Sequence, residues 1–104
     1  MTMKDLRKLA RGQQCMVRIS GVCNGDPETT VLAHYRLAGE CGMGIKPPDV
    51  MGAWCCSACH HVVDGRIVIR GLSQEVVGRD EIRLAHAEGV MRTLSALVRM
   101  GAIK

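Results

Sequence analysis

Cys56 and Cys59 are separated by two residues, the spacing at which two thiolates hold one tetrahedral metal ion from a single tight turn. Alone they make half a site. Cys15 and Cys23, with seven residues between them, lie upstream and are the candidates for the other two ligands of a structural zinc. The competing reading of that pair is two small buried hydrophobes. Cys41, in a glycine-rich stretch, is the rival ligand, and Cys55, next to Cys56 and pointing differently, reads as a packed thiol. Cys56-Ser57-Ala58-Cys59-His60 also matches the attachment signature of c-type haem. That chemistry calls for export and leaves Cys15 and Cys23 without a task, so the expectation is zinc and no haem.

His60 and Asp64 stand four residues apart on a segment with helical potential and therefore share one face. They suit a second divalent ion, Mg²⁺ or Mn²⁺, since both accept carboxylate and Mn²⁺ accepts imidazole readily. Ordinary polarity of a short helix is the competing account. His34 lies near the end of the run Thr29 to Tyr35, which is rich in β-branched and aromatic residues and reads as a strand. A strand-borne His, a glycine-rich loop and then Cys-x-x-Cys-His entering a helix together describe a ββα-metal nuclease core built over a zinc knuckle.

The elements that must position these groups fit one domain over residues 1–104. The chain is 47% hydrophobic and 23% charged, has no Phe, one Trp and one Tyr, and so must pack Val, Leu, Ile and Met; a core this poor in aromatics invites a metal staple. No apolar run approaches the roughly 18 residues a spanning helix needs, so no membrane partner is expected. The charged opening lacks the apolar region of a secretory signal, which points to the cytoplasm and to reduced thiols. Net charge is +4, fitting an anionic partner.

Lys4, Arg7, Lys8 and Arg11 recur at helical spacing on a first helix whose Leu6, Leu9 and Ala10 face elsewhere. This stripe is either a phosphate-contacting surface or a solvated face. Residues 15–23 read as irregular or hairpin-like with a turn at Ser20-Gly21, and 39–48 as a loop. A second strand is expected over 49–54, a helix stopped by Gly65, and a short strand or extended edge over 66–70. In the last third Ile82, Ala85, Val90, Met91, Leu94, Leu97 and Val98 make an apolar helix face, opposite Glu88, Arg92, Ser95 and Arg99, with Gly101 as the cap. Arg36 and Lys46 are candidate phosphate contacts, or plain solvated charges.

The order Cys15, Cys23, Ala33-His34, Lys46-Pro47-Pro48-Asp49, Cys56-Ser57-Ala58-Cys59-His60 and Asp64 resembles the small phage and prophage HNH-type nucleases of the YbcO kind, distantly similar to RecA-dependent Ref nucleases. The opening Asp-Leu-Arg-Lys-Leu-Ala-Arg-Gly and the run Cys-Met-Val-Arg-Ile-Ser-Gly-Val-Cys-Asn-Gly strengthen the match, which covers nearly the whole chain. The resemblance implies an α+β, zinc-stapled His-Me finger, treble-clef-like, with N-terminal and C-terminal helices. It implies an enzyme that cleaves DNA with a divalent metal in phage recombination or replication, with a recombinase filament as a further partner. On this resemblance His34 is the general base, His60 and Asp64 hold the catalytic metal, and Asp49 lies near the residue that orients the base. Many HNH enzymes place Asp or His just before the base, where this chain has Ala33. That departure opens two other readings: an inactive zinc-containing nucleic-acid-binding or adaptor module, and a structural zinc protein that binds a partner through its C-terminal helix.

Overall fold

The computed structural model describes residues 5–39, 41–42, 44–45, 47–65 and 78–103. It is a small α+β structure with the order α1 (Leu6–Ala10), β1 (Val31–His34), β2 (Gly52–Cys55), α2 (Ser57–Val63) and α3 (Arg79–Arg99). Helix α1 starts where the Asp5 carboxylate accepts the backbone N–H groups of Arg7 and Lys8, and it buries Leu6 and Ala10. It stops earlier than the basic stripe requires. Arg11 is already extended, so it no longer continues the helical face, and Lys4 lies outside the described residues.

Strands β1 and β2 pair antiparallel with Val31 opposite Cys55, Leu32 opposite Trp54, Ala33 opposite Ala53 and His34 opposite Gly52. Because side chains alternate across a strand, the sheet has two apolar faces. Leu32 and Trp54 pack with Leu6, Ala10, Leu97 and Ala102, while Ala33, Ala53 and Cys55 pack with Cys15, Val17, Cys56 and Cys59. Both strands are shorter than expected. Pro27–Thr29 forms a 3₁₀ turn capped by Asp26, and Asp49–Met51 forms another, so the strands begin after these turns. Between Cys15 and Cys23 no strand forms. The Ile19 carbonyl accepts from Val22 N–H and Cys23 N–H, and Gly21 takes a φ of 76°, which makes the turn expected at Ser20-Gly21.

Helix α2 begins at Cys56, whose sulfur accepts the backbone N–H of Cys59, and is closed by Asp64 and by Gly65 at a φ of 78°. Residues 66–70, expected as a strand, lie outside the described residues. The buried stripe of α3 is Ile82, His86, Gly89, Thr93 and Leu97. This corrects the apolar face read from the sequence, since Met91 and Val98 are 60% and 56% exposed. Hydrogen bonds explain the exchange. His86 donates from Nε2 to the Ala33 carbonyl at 2.8 Å, and the Thr93 hydroxyl donates to the Gly89 carbonyl while accepting the Trp54 N–H. Gly89 lets the chain cross closely. A Cβ there would stand 3.1 Å from Val17 Cα and 3.2 Å from the Met16 oxygen, which also accepts from Arg92 at 2.7 Å. Met16 N–H in turn donates to the Trp54 carbonyl, so the cysteine-bearing segment is clamped between β2 and α3.

Candidate functional site

Two groups of polar side chains flank the ends of α2. At its N-terminal end Cys15, Cys23, Cys56 and Cys59 bring their sulfurs within 4.8 Å of one another. Cys23 and Cys56 are 3.9 Å apart. A tetrahedron of thiolates at a Zn–S distance near 2.3 Å has sulfur–sulfur edges of about 3.8 Å, so the donor set fits a metal such as zinc in number, type and spacing. Cys41 is not in the group; its thiol lies against the Leu37 carbonyl in the glycine-rich loop.

Cys55 is fully buried and packs in one core cluster with Cys15, Cys56 and Cys59. The packed thiol expected at this position therefore sits against the ligand group and does not point away from it. Thiol donors from Cys55 and then Cys59 hold the Cys15 pKa well below the usual thiol range, whereas hydrogen bonding to Cys15 pushes both Cys55 and Cys59 up. A bound metal would replace those protons at its ligands.

At the C-terminal end of α2, His60 Nε2 is 3.2 Å from Asp64 Oδ2, one helical turn apart. Two donors at right angles around an ion about 2.1 Å away would be about 3 Å apart, so this pair could supply two neighbouring ligands to a small divalent ion. His34, at the end of β1, places Nε2 2.7 Å from Asp49 Oδ1. The hydrogen bond from His34, and then Arg7 at 3.5 Å, keep the Asp49 carboxyl below its ordinary range, so it is an ionised acceptor. An ionised carboxylate can only accept, so Nε2–H is the donor in this contact, and in the neutral ring Nδ1 is the nitrogen that carries the lone pair. His34, Arg36 and Asp64 line one cleft of about 440 Å³ with Tyr35, Arg83 and His86. Lys46 lies outside the described residues.

The sequence reading passed over His86, Tyr35, Arg79 and Arg83. His86 is 5% exposed, and burial lowers its pKa so that it is neutral near pH 7. Its ring meets Tyr35 at a centroid distance of 5.1 Å, and the Arg83 guanidinium lies 5.0 Å over the Tyr35 ring. These contacts fix the residues on both sides of His34, because Ala33 supplies the carbonyl that His86 grips. Ala33 itself is buried against the cysteine-side core. The available signal was the position of His86, four residues after Ile82 on the helical stripe.

The family model described as "Putative nuclease YbcO" matches residues 4–102, a span that holds both groups and all of α3. The chain belongs to the YbcO family. Two YbcO relatives carrying that same description, from Escherichia coli (strain K12) and from Enterobacteria phage 82, are each 49% identical over 104 residues, spanning 98% of this chain and 99% of the relative. A solved structure described as a "putative bacteriophage protein" from Escherichia coli K-12 substr. MG1655 shares the fold at a TM-score of 0.75 and 41% identity, covering 93% of this chain and all of that one. The YbcO family is thus of phage and prophage origin. Among the described residues of this member, no helix is long and apolar enough to cross a membrane.

Proposed function

We propose that this YbcO family member is a metal-dependent DNA endonuclease of the HNH, His-Me finger type, one domain working in the cytoplasm of a phage-infected or lysogenic host during recombination or replication. The observation that carries the reading is the His34–Asp49 contact of 2.7 Å at the end of β1, beside the cleft that Asp64 lines. The order β1, loop, β2, α2 supports a ββα-metal core, and Cys15, Cys23, Cys56 and Cys59 would hold its structural zinc in a treble-clef-like arrangement.

Asp49 fixes the tautomer and angle of His34, whose Nδ1 takes a proton from water as the water oxygen attacks phosphorus and the phosphorus–oxygen ester bond breaks. His60 and Asp64 would hold Mg²⁺ or Mn²⁺. Such an ion supplies positive charge to a phosphate oxygen and to the leaving oxygen. Arg36 supports the strand through a phosphate contact that carries no sequence information. Ala33 favours a second reading, an inactive nucleic-acid-binding or adaptor module on the same scaffold, because it offers no ligand beside His34.

Zinc-loaded protein incubated with supercoiled plasmid separates the two. The expected result is nicking on addition of Mg²⁺ or Mn²⁺ and none in their absence. Binding without nicking under either metal, with or without a recombinase filament, replaces the enzyme by the adaptor.

A further inference from the structure

His34 stands between two basic clefts. One, of about 820 Å³, is lined beside β1 by Arg7, Lys8, Arg11 and Glu28. The other, of about 440 Å³, is walled by Arg36 and by Arg79 and Arg83 of α3, together with Asp64. Their charges are not equally available. Arg7 faces Asp49 at 3.5 Å and Arg11 faces Glu28 at 3.9 Å. Among the described residues, none of Arg36, Arg79 and Arg83 forms an ion pair with a carboxylate.

Neutral groups hold the α3 guanidiniums in place. Arg83 lies over the face of Tyr35, a contact that uses none of its five N–H donors. Arg79 donates from Nη1 and Nη2 to the carbonyls of Val62 and Val63 at the end of α2, which offsets the partial negative charge there. Tyr35 is in turn braced by His86, so Arg83 is mounted on the residue next to His34. An arginine already oriented and lacking a carboxylate partner gives up little on meeting a phosphodiester, whose two non-bridging oxygens match its fork.

We infer that this α3 wall, Arg79 and Arg83 with Arg36, is a binding subsite for a backbone phosphate of DNA beside the phosphate that His34 addresses, and that the α1 stripe contributes less. The subsite deepens the endonuclease reading and rests on it for its ligand class. Asp64 opposes an anion in the same cleft. A divalent ion shared with His60 would cancel that repulsion, which makes the wall more favourable to phosphate when the metal is present.

The test is fluorescence anisotropy with zinc-loaded protein and a short DNA duplex across a salt series, without added Mg²⁺ or Mn²⁺. Arg36→Gln/Arg83→Gln should keep zinc content and Tm while making the slope of log K against log salt shallower by roughly 1.8, about 0.9 per lost contact. Arg83→Lys should recover most of the slope lost at that position, and Lys8→Gln/Arg11→Gln should change it less than the α3 pair does. An unchanged slope in the α3 pair, a larger change in the α1 pair, or no duplex binding by the wild type overturns the subsite. Plasmid nicking on the same preparations keeps the claims apart. Nicking with an unaltered α3 slope leaves the nuclease and removes the subsite, whereas the expected slopes without nicking leave the subsite and remove the nuclease.

Discussion

The two ends of α2 carry opposite kinds of donor group. At the N-terminal end, Cys56 and Cys59 are buried and meet Cys15 and Cys23, giving four soft ligands with no position left over. At the C-terminal end, His60 and Asp64 are partly exposed near an open cleft and offer only two. A closed thiolate set suits a structural ion, and an incomplete nitrogen and oxygen set suits an ion that shares its shell with substrate. Helix α2 has seven residues, so whatever fixes its first turn also fixes His60. Damage should therefore travel one way: breaking the cysteine end disables both, and breaking the histidine end leaves the cysteine end whole.

The largest expected effect is at the closed end. Cys59→Ser should lose zinc and cooperative folding, since structural zinc contributes roughly 10–16 kcal/mol in zinc-finger peptides. Elemental analysis and circular dichroism check this, and a full equivalent of zinc with a wild-type melt would remove the cysteine half of the comparison. A middle effect is expected at Gly89→Ala, where the new methyl meets the Val17 and Met16 backbone. Overpacking there should cost about 1–3 kcal/mol in urea denaturation. No loss of stability would mean that α3 does not clamp the cysteine segment.

The smallest effect is a pH dependence on the cleft side. Burial lowers the His86 pKa in the folded state, so the unfolded chain binds more protons as pH falls below about 6.5. Stability from this group is complete above that pH and fades as pH drops through the folded pKa. In His86→Gln that component of acid destabilisation should be missing, while acid loss of zinc remains in both proteins. Parallel stability curves for the two proteins from pH 7 to pH 5 would contradict it.

The cysteine end was legible because residue type and short spacing carry most of its geometry: Cys56-x-x-Cys59 needs only one turn of helix, and Cys15 and Cys23 bracket a tight turn at Gly21. The cleft was less so. Asp49, fifteen positions further along the chain, reaches His34 by a closure that no periodicity encodes. Helix α3 was recognised, but its buried face was misread because His86, Gly89 and Thr93 earn burial through hydrogen bonds and close backbone approach. Met91 and Val98, apolar by type, lie on the solvent side. In the basic stripe at the N-terminus only charge was counted, and the pairing of Arg7 with Asp49 and of Arg11 with Glu28 emerges only in three dimensions.

The central claim is that His34 does the proton chemistry while a metal held apart from the cysteines assists it. Plasmid nicking by wild type, His34→Ala and His60→Ala, at matched zinc content and across a Mn²⁺ titration, tests it most directly. His34→Ala should keep its fold and zinc and lose roughly 10²- to 10⁴-fold in rate at every Mn²⁺ concentration. His60→Ala should lose activity that excess Mn²⁺ partly restores. Equal rates for wild type and His34→Ala, or Mn²⁺ rescue of His34→Ala, would contradict the account.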